Sequence, residues 1–530
     1  MIRPNDRFPL ARGHLSTAPC RPMVAVIQRA PLFEYPPLPR RELQFYILVV
    51  IATIIYGYYS VFKLSWNYKF HIGDPVIVNR LPVIGERFKD ISNWEWFRWA
   101  PYQLSVIPHM LIHSILFNVS SKFLHDQYVA YFTIFYSLIG TSIVFSPRLV
   151  LISLGQGTVI FLVRHFVRRT SAVWVSALPI LYISMHRSAL LHIDPFLVIV
   201  FVAYSLLSYI SFNIEILAGE CRPEDNTVFK QYIRMLFYTL YPPYMVSLIV
   251  LYPEFEKQMR ERNQNPRNWR YLTTFVLRIA FWWLCVETIL HFFYFEAILN
   301  NSKVAETLPK DTLVAIGMLM GNFFHMKYVV IFGVPSIFAL IDGMRPPPPP
   351  ICFARVMLYS KIWRNFDRGL YAFFKKYIFV PICAPTFSIT RKLFGLLISY
   401  AFVLLWHGVI HSNVIWILLN ITELFVEYGS KSLYSLKFVR TWRETHITDV
   451  TFRRILGWSH ILPFALGLYS NFYFLGGSRI GYLFVRRIFE EETLTLRWPT
   501  WLLFALGYCY SNVCMEMDRW FADKQKLKAA

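Results

Sequence analysis

The chain has 530 residues, of which 55% are hydrophobic and only 16% charged, with a mean hydropathy of +0.40. A soluble chain carries about 25% charged residues, so this one lacks the polar surface to cover a water-soluble particle. Its net charge of +22 sits largely between apolar segments, as in Arg164 to Arg169 and Arg260 to Arg270, a pattern of cytosolic loops and headgroup contacts rather than of nucleic-acid binding.

Residues 1–41 are rich in Pro and Arg and lack the apolar core of a secretory signal; they read as a disordered, basic cytosolic tail. Long apolar segments follow at 43–63, 103–118, 128–145, 149–166, 173–185, 196–214, 234–252, 272–300, 312–342, 394–427, 459–475 and 497–514. A membrane span needs about 20 largely apolar residues, so several qualify outright, whereas 103–118 and 173–185 are short enough to be re-entrant or tilted. The expected fold is an all-α polytopic membrane protein, with about 10–12 membrane-embedded helices over 42–516 and a polar tail at 517–530. The alternating ten-residue segments of a membrane β-barrel are missing. No internal repeat marks an inverted-repeat transporter.

Arg345 is followed by five prolines, Pro346 to Pro350, which cannot continue a helix. Beyond them, 353–380 mixes Arg355, Lys361, Arg364, Arg368, Lys375 and Lys376 with aromatics. That composition suits an element lying in the membrane interface or lining a polar vestibule. The seven cysteines are scattered and form no CxxC, so most are expected to be buried thiols.

Two ionisable residues in apolar surroundings carry the chemistry. His407 follows Trp406 inside an apolar run, and Asp367 lies forty positions earlier. A charged or titratable group at membrane depth costs about 2.5 kcal/mol or more, so it faces a protein interior or a wet cavity. His407 suits a general base, and Asp367 suits orienting or stabilising the imidazolium, or handling a proton itself. The reaction this pair fits is attack of a hydroxyl, thiol or amine on an activated acyl group. The bland reading is a structural histidine satisfied by hydrogen bonds. His411 at i+4 from His407 places two imidazoles on one helix face, yet no Glu completes an HExxH zinc motif. Trp363, four residues before Asp367, is expected on the same helix face as that carboxylate. Cys352 directly follows the prolines and is either an ordinary thiol or a thiolate ligand for soft metal or haem iron. His186, His192 and His325 have no partner identifiable from sequence.

Read together, these stretches resemble a known family. They are Met326-Lys327-Tyr328, Phe332-Gly333-Val334-Pro335, Asp342-Gly343 with the prolines, Cys352, Trp363 through Tyr371, Tyr377 through Pro381, and Trp406-His407-Gly408. Tyr241-Pro242-Pro243 and Tyr252-Pro253-Glu254-Phe255 add to the likeness. The pattern resembles the membrane-bound O-acyltransferase (MBOAT) superfamily, most nearly its hedgehog acyltransferase branch, across about 208–430. One departure is Ile382 to Thr386, where the family has small, Gly-rich residues.

The resemblance implies a multi-pass endoplasmic-reticulum enzyme that uses acyl-CoA. It puts the catalytic roles on His407 and Asp367, an acyl-gating role on Trp363, and haem b ligation on Cys352. It implies palmitoyl-CoA as donor and, as acceptor, the N-terminal Cys of a secreted signalling protein of the hedgehog type, with membrane lipids as surroundings. The alternatives are a lipid acyltransferase of the glycerol-uptake type, for which Asn is common at the Asp367 position, and a catalytically inactive membrane scaffold.

Overall fold

The computed structural model describes residues 33–68, 76–81, 85–219, 227–264 and 267–529. The basic tail expected at the N-terminus therefore lies mostly outside the described residues. From Tyr35 onward the chain forms one unit. Its long helices are α1 (Arg40–Tyr68), α2 (Trp94–Phe123), α3 (Asp126–Val144), α4 (Pro147–Val167), α5 (Thr170–His186), α6 (Pro195–Leu217), α7 (Trp269–Phe292), α8 (Lys310–Ile341), α9 (Ile389–His407), α10 (His411–Ser435), α11 (Ile461–Phe484) and α12 (Trp498–Ala529). Among the described residues eight are long and apolar enough to cross a membrane: α1 to α4 and α6 to α9. The chain is a polytopic α-helical membrane protein. The polar stretch after 516 continues the last helix as far as Ala529.

Local chemistry starts several of these helices. Asn93 caps α2, its side-chain oxygen accepting from Trp96 N at 2.8 Å, and Asn268 caps α7 in the same way through Tyr271 N at 2.9 Å. Ser146 accepts from Leu149 N ahead of α4, whose first residue is Pro147, a position where the missing N–H costs nothing. The two central helices, α6 and α8, are mostly buried by their neighbours, whereas α1 turns most of its surface outward, where a bilayer meets it.

Three segments differ from the sequence-based expectation. The apolar run 234–252 is not a span. A helix Val228–Thr239 stops before Pro242-Pro243, a single turn Pro242–Met245 follows, and an extended stretch leads to the helix Tyr252–Glu261. The run is apolar because it is buried: Tyr241 to Val250 are all inside the protein, and Tyr241 Oη donates to Asp342 Oδ2 at 2.6 Å. The run 394–427 is two helices, α9 and α10, meeting at Gly408 with φ +96°, a backbone region that favours glycine. The basic stretch 353–380 is a chain of short pieces, Phe353–Arg355, Tyr359–Asn365, Arg368–Phe374 and Lys375–Phe379.

A two-stranded antiparallel hairpin, β1 (Val76–Leu81) and β2 (Gly85–Asp90), pairs Val76 with Asp90 and Leu81 with Gly85. It sits against the end of α7, where Lys89 Nζ meets Glu287 Oε2 at 2.7 Å and Asn79 Nδ2 lies 2.9 Å from His291 Nε2. This hairpin end and the proline end, where Asp342 binds Asn118 and Tyr241, mark opposite sides of the bundle.

Candidate active site

His407 is the last residue of α9. Its ring stands edge-on to two aromatics, Trp416 from α10 at 5.2 Å and 90° and Phe474 from α11 at 5.1 Å and 89°; those two stack on each other at 4.2 Å. The helix stops here because Gly408 turns to positive φ, and Asn413 closes the turn by donating from Nδ2 to the carbonyls of His407 at 2.8 Å and Gly408 at 2.9 Å. Among the described residues neither ring nitrogen of His407 is taken up in a hydrogen bond. The imidazole lies deep in the protein yet is only half-buried, so it faces an internal space. The same break means that His411 does not share a helix face with His407; its Nδ1 lies 3.2 Å from Ser478 Oγ instead.

Asp367 is an N-cap. Its Oδ1 accepts from Leu370 N at 2.8 Å and starts the helix Arg368–Phe374. That helix docks closely because residue 369 is glycine: a Cβ there would collide with the Ile249 carbonyl. Burial pushes the Asp367 carboxyl up to about 6, with the backbone N–H groups of Leu370 and Gly369 pulling the other way. No hydrogen bond joins Asp367 to His407 in the described residues; the two are linked by shared neighbours. Tyr204 packs edge-on to Trp406 at 5.3 Å and feels the Asp367 carboxylate, which also acts on Tyr328.

Trp363 does not share a helix face with Asp367, because the helix Tyr359–Asn365 ends between them. It reaches the site by another route. Its ring lies 5.8 Å from Trp416 and 5.5 Å from Tyr400, and its indole N–H donates to Asn420 Oδ1 at 3.0 Å. Thus Trp363 and His407 sit on either side of Trp416. Cys352 is exposed, and the neighbours the structure gives it, Tyr510 and Cys514 on α12 and Tyr58 on α1, do not border His407.

Sequence reasoning missed the other half of the site. A cavity of about 290 Å³ is lined by Asn93, Glu95, Glu296, Lys327, Phe324 and Phe474, among others, and Phe474 is the ring that flanks His407. Lys327, buried within α8, pairs with Glu95 Oε2 at 2.5 Å, and Tyr328 Oη donates to Glu95 Oε1. Asn93 Nδ2 donates to Glu296 Oε1 at 2.5 Å. The field of Glu95 reaches His407 as well as Tyr204 and Tyr328. The available signal was Lys327 itself, a lone amine in an apolar run, which calls for a buried partner. Chemically the arrangement offers a base with free nitrogens, an aromatic wall that keeps it dry, and a charged vestibule opening toward the hairpin end.

The site is thus an aromatic-walled histidine inside a bundle of candidate membrane helices, an arrangement compatible with acid/base chemistry away from bulk water. The model of the MBOAT, membrane-bound O-acyltransferase family, matches residues 229–470, which contain both His407 and Asp367. Protein-cysteine N-palmitoyltransferase HHAT of Mus musculus is 25% identical over 494 residues, covering 90% of this chain and 98% of that protein. Protein-cysteine N-palmitoyltransferase Rasp of Drosophila melanogaster is 27% identical over 462 residues, 85% and 90% of the two chains. Membrane-bound O-acyltransferase GUP1 of Candida tropicalis is 23% identical over 229 residues, 43% and 38% of the two. The chain is thus similar to membrane-bound O-acyltransferases, in its central and C-terminal part by the family model and along most of its length by HHAT and Rasp.

Proposed function

We propose that this chain is a protein-cysteine N-palmitoyltransferase of the endoplasmic-reticulum membrane, moving palmitate from palmitoyl-CoA to the α-amino group of a secreted, hedgehog-like protein that begins with Cys. The observation that carries the reading is the place of His407, whose ring packs on Phe474, a wall of the charged vestibule, and on Trp416, which in turn meets Trp363. Similarity to HHAT and Rasp along nearly their whole lengths supports the protein acceptor; the likeness to GUP1 covers less than half of either chain.

In this reading the donor enters from the proline end, where Arg260, Arg267 and Arg345 offer charge to an anionic nucleotide. The acceptor's amino terminus enters by the vestibule at the hairpin end, which faces the lumen. A free α-amino group has an ordinary pKa of about 7.7–8.0, so a fraction is neutral and nucleophilic. Its nitrogen attacks the thioester carbonyl, forming the C–N bond. His407 takes the proton the amine releases and returns one to the departing CoA thiolate as the C–S bond breaks, a role worth about 10²- to 10⁴-fold. Asp367, which makes no direct contact with the imidazole, serves in this reading to position the acceptor or the histidine through the residues between them. Trp363, held by Asn420, lines the path of the acyl chain.

Cys352 is the residue that would hold haem. Its thiol is exposed, and a cysteine thiolate is a ligand type that suits haem iron. Haem supplies no step of the acyl transfer.

The test is acyl transfer by purified protein from palmitoyl-CoA to a synthetic peptide starting with Cys, the same peptide N-acetylated, and a lysophospholipid. Palmitate on the free peptide alone, lost in His407→Ala, is the expected result. Transfer to the lysophospholipid alone would make the protein a lipid acyltransferase, and transfer to neither would favour the scaffold reading.

A further inference from the structure

A second cavity, of about 410 Å³, lies between β1, β2 and the adjoining ends of α2 and α7. That size is within the roughly 300–1,000 Å³ range of small-molecule pockets. Its walls are Ile77, Phe97, Pro101, Leu104, Trp283 and Leu290, and its polar rim is Asn79, Lys89 and Glu287. The apolar wall runs onto the outer surface: Phe97 and Leu104 are 49% and 63% exposed and begin a stripe continued along α2 by Leu111, Ile115 and Val119. Both helices are candidate spans, so that stripe is the face a bilayer meets. The hollow therefore opens sideways into lipid, at the depth where the spans end.

The rim has a definite charge pattern. Lys89 Nζ lies 2.7 Å from Glu287 Oε2, and Glu287 Oε1 accepts from the buried indole N–H of Trp96 at 3.1 Å. The carboxylate is thereby fixed in place, with the amine beside it on the hairpin. A headgroup carrying both signs matches this pair, its phosphate beside Lys89 and its ammonium beside Glu287. An anionic headgroup instead sets a phosphate against a carboxylate that cannot swing away.

We propose that this hollow is a binding site for one zwitterionic glycerophospholipid of the leaflet at the hairpin end, with acyl chain against Phe97, Leu104 and Trp283 and headgroup on the Lys89–Glu287 pair. The site is separate from His407, but Asn93 lines both cavities, so the lipid lies against the outer wall of the vestibule. The assignment does not depend on the acyl-transfer reading.

The experiment uses the full chain in detergent with a photoactivatable phosphatidylcholine, and maps cross-links by mass spectrometry. Cross-links should concentrate on Phe97 to Leu104 and Trp283 to Leu290. Unlabelled phosphatidylcholine should compete about fivefold better than phosphatidylglycerol, and Glu287→Lys should reverse that order. Cross-links spread evenly along α2 to Val119 would mean ordinary bulk lipid and would overturn the proposal, as would their absence or equal competition by the two lipids. The wild-type competition decides by itself, whatever the folding of the variant.

Discussion

The side-chain amide of Asn413 donates to the backbone carbonyls of His407 and Gly408 at 2.8 and 2.9 Å. One residue of α10 thus ties down the end of α9 that carries the imidazole, across a turn whose backbone only glycine adopts easily. Replacing it removes the amide donor from the His407 carbonyl, leaves Gly408 only its bond from Ile410 N, and loosens the end of the helix that holds the imidazole. Asn413→Leu is expected to lower kcat by roughly 10- to 100-fold with KM for acyl-CoA little changed, since misplacement by about 1 Å can cost 10²-fold. Steady-state kinetics on protein that still elutes as a single species checks it.

Asp367 does two jobs that different substitutions separate. As an N-cap it stabilises the helix Arg368–Phe374, and Asn caps about as well as Asp. At pH 7 Asp367→Asn should therefore be at least as stable as the wild type and lose acyl transfer. Asp367→Ala should lose activity and also about 1 kcal/mol of stability.

The same carboxyl gives a pH signature. Burial raises it to about 6 in the folded protein, above its ordinary value of about 3.9, so the folded state holds the proton more tightly than the unfolded state. Protonation then favours folding: this group's contribution to stability rises as pH falls from above 6 toward 4. Activity is expected to move the opposite way, because the role proposed for Asp367 needs its carboxylate. Thermal melts from pH 7 to pH 4 should show the wild type gaining stability relative to Asp367→Asn over that window. A constant difference would mean that Asp367 does not titrate there.

Lys327 and Glu95 form the ion pair at the floor of the vestibule, with the amine 3% exposed. Removing one partner leaves a charge stranded in a poorly solvated place, whereas replacing both is mild. Lys327→Met should cost on the order of 2 kcal/mol, and adding Glu95→Gln should recover most of the loss. The check is a double-mutant cycle of melting temperatures in one detergent; additive effects would remove the pair as a structural unit.

Purified wild-type protein should show a Soret band that disappears in Cys352→Ala and persists in Cys514→Ala, the neighbouring thiol on α12. A colourless wild type removes haem from the account.

Much of this was legible in the sequence. The spans announced themselves because a bilayer demands continuous apolar runs, and the prolines after Arg345 stopped a helix where the backbone does stop. Asp367 and His407 stood out because titratable groups in apolar company need a reason. What stayed hidden depends on distance along the chain. Nothing local says that Glu95 belongs to Lys327, more than two hundred residues later, or that Phe474 walls His407. The run 234–252 misleads in a different way: hydrophobicity reports burial, and burial in protein looks the same as burial in lipid. Trp363 lies near His407 by a route its spacing does not suggest. Helical spacing put it over Asp367, but the helix ends between them, and the indole arrives through Trp416 and Asn420.

A thioester activated beside a base is open to any nucleophile, and water is far more abundant than a protein amino terminus. Trp416 and Phe474 stand edge-on to His407 and stack on each other, so the wall beside the imidazole is mostly carbon and offers water few partners. In the proposed reaction such a wall would tilt the split from wasteful hydrolysis toward aminolysis, letting a loaded site wait for a scarce acceptor instead of turning its donor into free fatty acid.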